Sequence, residues 1–364
     1  MLPVYQLKYM DSVPDSAVCN EAVKLAVKKG FGTLRGFVNG VLRNVARGLD
    51  QVEYPTEGIE RLSVVYSMPE WILKLWKKTY DLDVIESMLQ AFQEETPVTI
   101  RCNLAKTTPE NLKESLQKEG VTVTPHPYLS YAFWIQDYDH LSELESFQKG
   151  EFYVQDISSM LVGELADPKK GDRVIDVCAA PGGKALHVAE KLRGTGSVEA
   201  RDLSLYKVGL ITENIERSGL TNIHAVQKDA TVCDADVKDA ADLVIADLPC
   251  SGLGVLAKKT DLKYKATEQS TKELAGLQRE ILKNAASYVR PGGTLIYSTC
   301  TINPAENIEN VHWFLKEFPE FVLDPIADRL CSTLQNSVEE AGCLQLLPGI
   351  HKSDGFFIAR FGKK

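Results

Sequence analysis

Two cysteines, Cys250 and Cys300, stand at positions where a thiol could act as a nucleophile. Cys250 lies in the stretch DLPCSG, directly after an apolar run, and Cys300 ends a second run of β-forming residues, TLIYSTC. A free cysteine is more often a small buried residue than a reactive one, so each thiol alone favours a packing role. If the two runs are neighbouring strands, both sulfurs face one pocket, and a pair of thiols there indicates covalent chemistry.

Glycines and carboxylates follow the other apolar runs of the same region. The stretch DVCAAPGGK (176–184) contains Gly182 and Gly183, which let the backbone approach a ligand, and a helix beginning there presents the positive end of its dipole. The carboxylates that follow are Asp202, Asp229 and Asp247. Asp202 follows the glycines by about 20 residues, a spacing that suits a carboxylate bound to ribose hydroxyls. A single aspartate of this kind is usually a helix cap, but the set favours a nucleoside cofactor. The absence of GxGxxG gives a dinucleotide little support.

These residues fall where the strands of an alternating β/α segment end. Continuous apolar runs separated by helical stretches predict an α/β fold with a doubly wound, mostly parallel sheet. Ligands bind such sheets beyond the carboxyl ends of the strands. The predicted elements are strands at 172–178, 197–202, 223–228, 242–248 and 294–300, with helices near 184–193, 204–218 and 268–289. Two terminal runs, CLQLLP and GFFIARF, are candidates for an antiparallel edge pair.

Two smaller regions precede the predicted sheet. Residues 15–49 are expected to be helical, with apolar residues at helical spacing and arginines on another face. Residues 69–150 mix helices such as TTPENLKESLQKEG with strands such as TPVTIRCNL, which predicts a small α+β domain. The basic residues of both regions could contact nucleic acid, although a solvated surface is the commoner interpretation.

The composition is that of an ordinary globular protein. The 364 residues are 44% hydrophobic and 25% charged, with a net charge of −9. This acidity argues mildly against a nucleic-acid partner but does not exclude a local basic patch. The sequence shows neither a membrane-spanning run nor a secretory signal, and the eight cysteines lack metal-ligand spacing. We therefore expect a cytoplasmic protein with reduced thiols and no metal, and we expect it to be a monomer.

The motifs AAPGGK, DLPCSG and STC, with PAEN downstream, resemble those of the Sun family of RNA cytosine carbon-5 methyltransferases. The resemblance continues through FYVQDISSM, through KKTDLKY (258–264) and through the terminal LPG…SDGFF. Residues 14–47, especially FVNGVLRN, resemble the second half of a NusB-like RNA-binding domain, a combination typical of the bacterial 16S rRNA members. Two positions depart from the family pattern: Thr260 replaces a proline, and SGLG replaces SGTG or SATG.

The resemblance implies three domains. A partial NusB-like helical region (1–52) and a small α+β RNA-binding domain (53–150) would precede a Rossmann-like S-adenosylmethionine methyltransferase domain (151–364). Residues 1–50 supply too few helices for a whole NusB-like bundle. Two explanations are open: the chain is truncated, or it is naturally short. We therefore expect apolar surface to be exposed there.

The resemblance also assigns the site residues. The cofactor, S-adenosyl-L-methionine, would be bound by the loop Cys178, Ala179, Ala180, Pro181, Gly182, Gly183 and Lys184 and by the carboxylates Asp202, Asp229 and Asp247. Cys300 matches the nucleophile and Cys250 the cysteine that helps to release the product. Asp247 would lie between cofactor and target base, and Lys184 would favour the thiolate, unless it is only a surface lysine at a helix start.

These assignments explain why the chemistry needs a thiol. Carbon 5 of cytosine is a poor nucleophile, and attack of a thiolate on carbon 6 activates it. The target base must be unpaired or flipped out, which fits single-stranded or loop RNA, here 16S rRNA. Two other functions are open: a non-catalytic RNA-binding or ribosome-assembly factor, and a methyltransferase for protein or a small molecule. The intact cysteines and cofactor loop argue against a non-catalytic factor. A methyltransferase for protein or a small molecule would need neither paired cysteines nor an RNA-binding appendage, which argues against that function too.

Overall fold

The structure, a computed structural model, describes residues 2–364 and contains two compact units, one ending at Val64 and one spanning Val65–Lys364. The first unit is helical. Its helices are α1 (Leu2–Tyr9), α2 (Asp15–Lys28), α3 (Arg35–Gly48) and α4 (Gly58–Val65), the last of which ends at the boundary. The helices predicted within residues 15–49 are confirmed, whereas α1 was not predicted. As expected, apolar side chains of this unit are exposed, including Phe37 at 70%.

The second unit begins with a small α+β part. Its elements are α5 (Glu70–Trp76), α6 (Leu82–Ala91), β1 (Val98–Cys102), α7 (Pro109–Lys118), β2 (Thr122–Pro125), β3 (Ala132–Gln136), α8 (Glu145–Gln148) and β4 (Phe152–Val154). The strands form an antiparallel sheet in the order β2-β3-β1-β4. Helix α7 begins at Thr108, whose hydroxyl accepts a hydrogen bond from the Asn111 backbone N–H, and Leu112 of this helix packs in the core beneath the sheet.

This small sheet confirms the predicted α+β character and extends it. Strands β3 and β4 were not predicted from the sequence. Because β4 pairs with β1, the sheet continues past residue 150, where the predicted domain ended. The domain boundaries at 52 and 150 stay predictions.

The rest of the second unit is built on a nine-stranded sheet. Its strands are β5 (Arg173–Asp176), β6 (Ser197–Asp202), β7 (Ile223–Gln227), β8 (Ala241–Asp247), β9 (Val289–Thr299), β10 (Phe321–Leu323), β11 (Val338–Glu340), β12 (Cys343–Leu346) and β13 (Phe356–Lys363). The order is β11-β12-β13-β9-β8-β5-β6-β7, with β10 beside β13. Strands β5 to β9 are parallel, as predicted, and the two terminal runs do pair antiparallel. These two strands, β12 and β13, do not form the edge of the sheet, however. The edge strand is β11, and β13 pairs with β9.

Helices cover both faces of this sheet. They are α9 (Ile157–Ala166), α10 (Gly183–Lys191), α11 (Leu205–Ser218), α12 (Leu262–Lys265), α13 (Glu268–Tyr288), α14 (Ile308–Glu317) and α15 (Ser332–Gln335). Neighbouring residues of β5 point to opposite faces, so Val174 packs in one hydrophobic cluster and Ile175 in the other. Both are fully buried. Burial on two faces explains why central strands such as β8 are apolar runs without alternation, whereas β6 and the edge strand β7 contain charged or polar residues.

Candidate active site

The sulfurs of Cys250 and Cys300 are 3.2 Å apart. Strands β8 and β9 run parallel, with Asp247 opposite Ser298, so both chains leave the sheet at the same edge. Each cysteine lies just beyond the end of its strand and is partly buried. The structure therefore brings the two thiols together, as neighbouring strands would; that they share a pocket stays a prediction.

A close backbone contact fixes the loop that follows Cys250. The Gly254 N–H donates to the Cys300 carbonyl at 3.1 Å, and the Gly355 N–H donates to the Gly254 carbonyl at 2.8 Å. A Cβ atom on Gly254 would lie 2.0 Å from the Gly355 carbonyl oxygen, so only glycine fits there. This loop is therefore held against the peptide of Cys300.

A buried carboxylate, Glu306, joins the segments that follow the two cysteines. It accepts hydrogen bonds from the Ser251 N–H at 2.9 Å and from the Ser251 hydroxyl at 2.5 Å. Asn303 and Gln278 donate side-chain N–H groups to the same carboxylate at 2.9 and 3.0 Å. Sequence reasoning missed this residue because an acid just after Pro304 suggests only a helix start. In fact Pro304–Glu306 is a short 3₁₀ turn, and α14 begins at Ile308.

An ion pair connects the cofactor loop to the end of β8. Lys184 Nζ lies 2.7 Å from Asp247 Oδ2, and the Ser298 hydroxyl donates to Asp247 Oδ1 at 2.8 Å. The Lys184 side chain is only 13% exposed, so it is not a surface lysine. Burial alone would lower the pKa of Lys184, but the adjacent Asp247 raises it. Lys184 is therefore a cation held at the strand ends.

The two thiols differ in their affinity for a proton. The pKa of Cys300 is lowered mainly because its sulfur accepts a hydrogen bond from Cys250, and the cation of Lys184 adds to this. Burial and the charge of Asp247 act in the opposite direction. The same hydrogen bond raises the pKa of Cys250 well above that of an ordinary thiol. Of the two thiols, Cys300 is therefore the one that loses its proton more easily.

A cavity of 290 Å³, here called the cofactor cavity, lies at the carboxyl ends of β5, β6 and β8. Five of the predicted site residues line it: Cys178, Ala180, Asp202, Asp229 and Asp247. The other residues of the 178–184 loop are not among its lining residues. Within this loop Gly182 has φ +107°, a conformation that favours glycine, and it caps α10, which begins at Gly183. The apolar side chains of Leu203, Leu248 and Ile281 complete the walls.

The carboxylates of this cavity have different surroundings. Buried Asp202 accepts hydrogen bonds from the Ala180 N–H at 3.1 Å and the Leu203 N–H at 2.8 Å. Exposed Asp229 accepts from the Thr231 N–H at 2.9 Å and from its hydroxyl at 2.7 Å. Asp176, which sequence reasoning did not single out, is fully buried; burial raises its pKa to about 7, and its Oδ2 has no hydrogen-bond partner among the described residues. A site with carboxylates, a glycine turn and apolar walls fits a nucleoside carrying a positive charge.

Other site types receive no support from the described residues. No group of three His, Cys, Asp or Glu side chains within residues 2–364 is arranged to hold a metal ion. Over the same range, no helix is both long and apolar enough to cross a membrane.

The parallel strands, the cofactor cavity and the paired thiols, one of which directly follows the lining residue Pro249, define an S-adenosylmethionine-dependent methyltransferase of the Rossmann-like class. A family described as 16S rRNA methyltransferase RsmB/F matches residues 164–362, its ferredoxin-like domain matches 68–138, and the NusB family matches 1–47. The chain belongs to the RsmB/F family of methyltransferases. This confirms the resemblance drawn from the motifs.

Individual relatives agree with this assignment. A probable ribosomal RNA small subunit methyltransferase B of Bacillus subtilis (strain 168) is 37% identical over 100% of this chain and 81% of its own length. A protein of the same name from Synechocystis sp. is 35% identical over 100% of this chain and 82% of its own. The crystal structure of NSun6 from Pyrococcus horikoshii with SFG has a TM-score of 0.72 at 25% identity, covering 82% of this chain and 99% of that one.

Proposed function

We propose that this protein transfers a methyl group from S-adenosyl-L-methionine to carbon 5 of a cytosine in small-subunit ribosomal RNA. The observation that carries the proposal is the 3.2 Å separation of the Cys250 and Cys300 sulfurs, with Cys250 directly following Pro249, a residue that lines the cofactor cavity. The name of the Bacillus subtilis relative supports the class of RNA. The Pyrococcus horikoshii relative was crystallised with SFG, an analogue of S-adenosylmethionine, and this supports the cofactor.

The chain's own residues suit this cofactor. Asp202 would bind the ribose hydroxyls and Asp229 the adenine end, with the loop from Cys178 to Lys184 beneath. When bound, S-adenosylmethionine supplies a methyl group on a positively charged sulfur. Asp202 is buried, so little solvent competes for its carboxylate.

Cys300 activates the cytosine. Its thiolate attacks carbon 6, a sulfur–carbon bond forms, and the electron pair of the 5,6 double bond makes carbon 5 nucleophilic. We assign Asp247 to assisting proton transfer at ring nitrogen 3, which limits the negative charge of the adduct. Lys184, paired with Asp247 at 2.7 Å, favours the thiolate before attack.

Cys250 completes the cycle once carbon 5 carries the methyl group. In the adduct the Cys300 sulfur is a neutral thioether, so the anion that kept the proton on Cys250 has gone and the pKa of Cys250 falls. Cys250 then loses its proton to solvent and takes the carbon-5 proton as a base. The electrons of that C–H bond restore the double bond, the bond from carbon 6 to sulfur breaks to return the Cys300 thiolate, and ring nitrogen 3 gives back the proton that it took up during attack.

The remaining parts of the proposal concern the RNA. The regions 1–52 and 53–150 would bind rRNA, which is supported by their matches to the NusB family and to the ferredoxin-like domain. The target cytosine would be unpaired or flipped out, since a thiol cannot reach carbon 6 within a stacked helix. Ribosomal RNA as the substrate implies a cytoplasmic enzyme, and we expect it to act as a monomer.

One experiment tests the function directly. Unmodified small-subunit rRNA is incubated with the protein and with cofactor carrying a labelled methyl group, and the RNA is then digested to nucleosides. We expect labelled 5-methylcytidine, mapped to a defined position by sequencing, and none with Cys300→Ala. Label that is absent, or that appears in another nucleoside, would contradict the proposal.

A further inference from the structure

A second cavity, of 420 Å³, lies within Val65–Lys364, and none of its described lining residues lines the cofactor cavity. Its walls come from the small sheet through Trp134, from the loop after Cys250 through Gly254 and Lys258, and from the segment before β13 through Lys352. Its volume is within the range of roughly 300–1,000 Å³ typical of small-molecule sites. The mechanism above leaves this cavity without a role.

The second cavity begins next to the nucleophile. Gly254, one of its wall residues, donates its N–H to the Cys300 carbonyl, so the cavity wall and the reactive residue share a hydrogen bond of 3.1 Å. Asp247 lines the cofactor cavity, whereas Gly254 and Lys258, farther along the same loop, line the second. A strand of RNA that places a cytosine at Cys300 therefore passes close to this cavity.

An aromatic side chain forms one wall. Phe133 and Ile135 point into the core of the small sheet, so Trp134 between them points to the opposite face. Its ring is half-buried and lies against His126, with ring centroids 4.4 Å apart. The Lys352 ammonium lies 5.9 Å from the centre of the Trp134 ring. A flat ring with a cation beside it is the arrangement on which unpaired bases stack.

The charged residues of the cavity suit a nucleotide as well. Lys258 binds Asp156 at 3.0 Å and Asp354 at 2.6 Å, which holds two carboxylates at the wall. Carboxylates accept hydrogen bonds from the amino groups of bases, and an exposed lysine such as Lys352 attracts phosphate. Proteins that read unpaired RNA combine aromatic stacking with such edge contacts.

We infer that the second cavity binds the nucleobase adjacent to the target cytosine in the RNA strand, stacked on Trp134, with Lys352 facing the phosphate. The inference rests on the proposed function and adds to it a subsite that selects the sequence around the target. It makes Trp134 and Lys352 residues that bind RNA without touching the reacting atoms.

Abasic RNA tests the inference in the wild-type protein. Short RNAs carrying the mapped cytosine are made intact or with an abasic nucleotide immediately before or after it. We expect one of the two abasic positions to raise KM about tenfold, within the range that base–aromatic stacking contributes, with a much smaller effect on kcat. If neither abasic RNA changes KM while the intact RNA is methylated, the inference is wrong. If small-subunit rRNA itself receives no methyl group on cytosine, the proposed function fails.

Variants then locate the effect. Trp134→Ala should raise KM for intact RNA by a similar factor and become insensitive to the critical abasic position, whereas Trp134→Phe should keep most of the affinity. If the abasic position raises KM in Trp134→Ala as much as it does in the wild type, the assignment of Trp134 is wrong. Lys352→Ala should weaken RNA binding and reduce its salt dependence by about one counterion. Lys316→Ala, an exposed lysine in the last turn of α14 and outside the proposed RNA-binding regions, is the matched control and should leave both unchanged.

Discussion

Glu306 and Ser251 hold together the two segments that carry the active-site thiols. Both the N–H and the hydroxyl of Ser251 donate to the Glu306 carboxylate, at 2.9 and 2.5 Å. Ser251 directly follows Cys250, and Glu306 lies in the turn after Cys300. A single buried carboxylate therefore sets the spacing between the two sulfurs without touching either of them.

The variant Glu306→Gln should separate this positioning role from simple packing. All four groups that surround the carboxylate are hydrogen-bond donors, so the amide N–H₂ of glutamine must face one of them. We expect the free energy of unfolding to fall by about 1–3 kcal/mol, the cost of leaving a buried polar group unsatisfied. We also expect slower formation of the RNA adduct at unchanged cofactor affinity, measured by denaturation, gel shift and calorimetry.

The neighbouring Glu309→Gln provides the control for that experiment. Glu309 is exposed in the first turn of α14, so its charge can be removed with little effect on stability or on the thiols. Equal behaviour of the two glutamine variants would show that Glu306 has no special role.

The two cysteines should give opposite results when each is replaced by alanine. Without Cys250 the carbon-5 proton has no base, so Cys250→Ala should accumulate a covalent complex with RNA that survives denaturing electrophoresis. Cys300→Ala should form none, and neither should the double variant. Cys233→Ala, which removes an exposed cysteine elsewhere, should behave like the wild type. A stable adduct with Cys300→Ala would show that Cys300 is not the nucleophile.

The sequence predicted the parts of this site that depend on regular strands. Apolar runs buried on two faces identified central strands such as β8 and β9, and the regular alternation with helices identified β6 and β7. The residues that end these strands, such as Asp202 and Cys300, lie at one edge. The sequence could not show which side chains meet across that edge. The pairing of Lys184 with Asp247 and the burial of Glu306 depend on how loops pack, and a short strand such as β4 has too few residues to show a period.

Asp202 should contribute directly to cofactor affinity. Its carboxylate is buried, accepts from two backbone N–H groups and pairs with Lys207 at 3.2 Å through Oδ1, which leaves a lone pair of Oδ2 for a ribose hydroxyl. We expect Asp202→Asn to raise the Kd for S-adenosylmethionine roughly 10- to 150-fold, the value of a hydrogen bond to a charged group. Calorimetry measures this directly. Asp236→Asn, at an exposed position beyond β7, should leave the Kd unchanged, and an unchanged Kd for Asp202→Asn would remove Asp202 from the cofactor site.

The pH dependence of Cys300 alkylation tests how the thiols share their proton. Only the thiolate reacts with iodoacetamide, so the rate rises with pH and reaches half its maximum at the pKa of Cys300. Because that pKa is lowered, first by the hydrogen bond from Cys250, the midpoint for the wild type should lie below that of an ordinary free thiol. Cys250→Ala removes this donor and should move the midpoint to higher pH, as should Lys184→Met, which removes a cation and leaves Asp247 beside the sulfur. Mass spectrometry of the peptide containing Cys300 measures the rate at that residue alone. A midpoint that does not move in Cys250→Ala would show that the 3.2 Å contact between the sulfurs does not stabilise the thiolate.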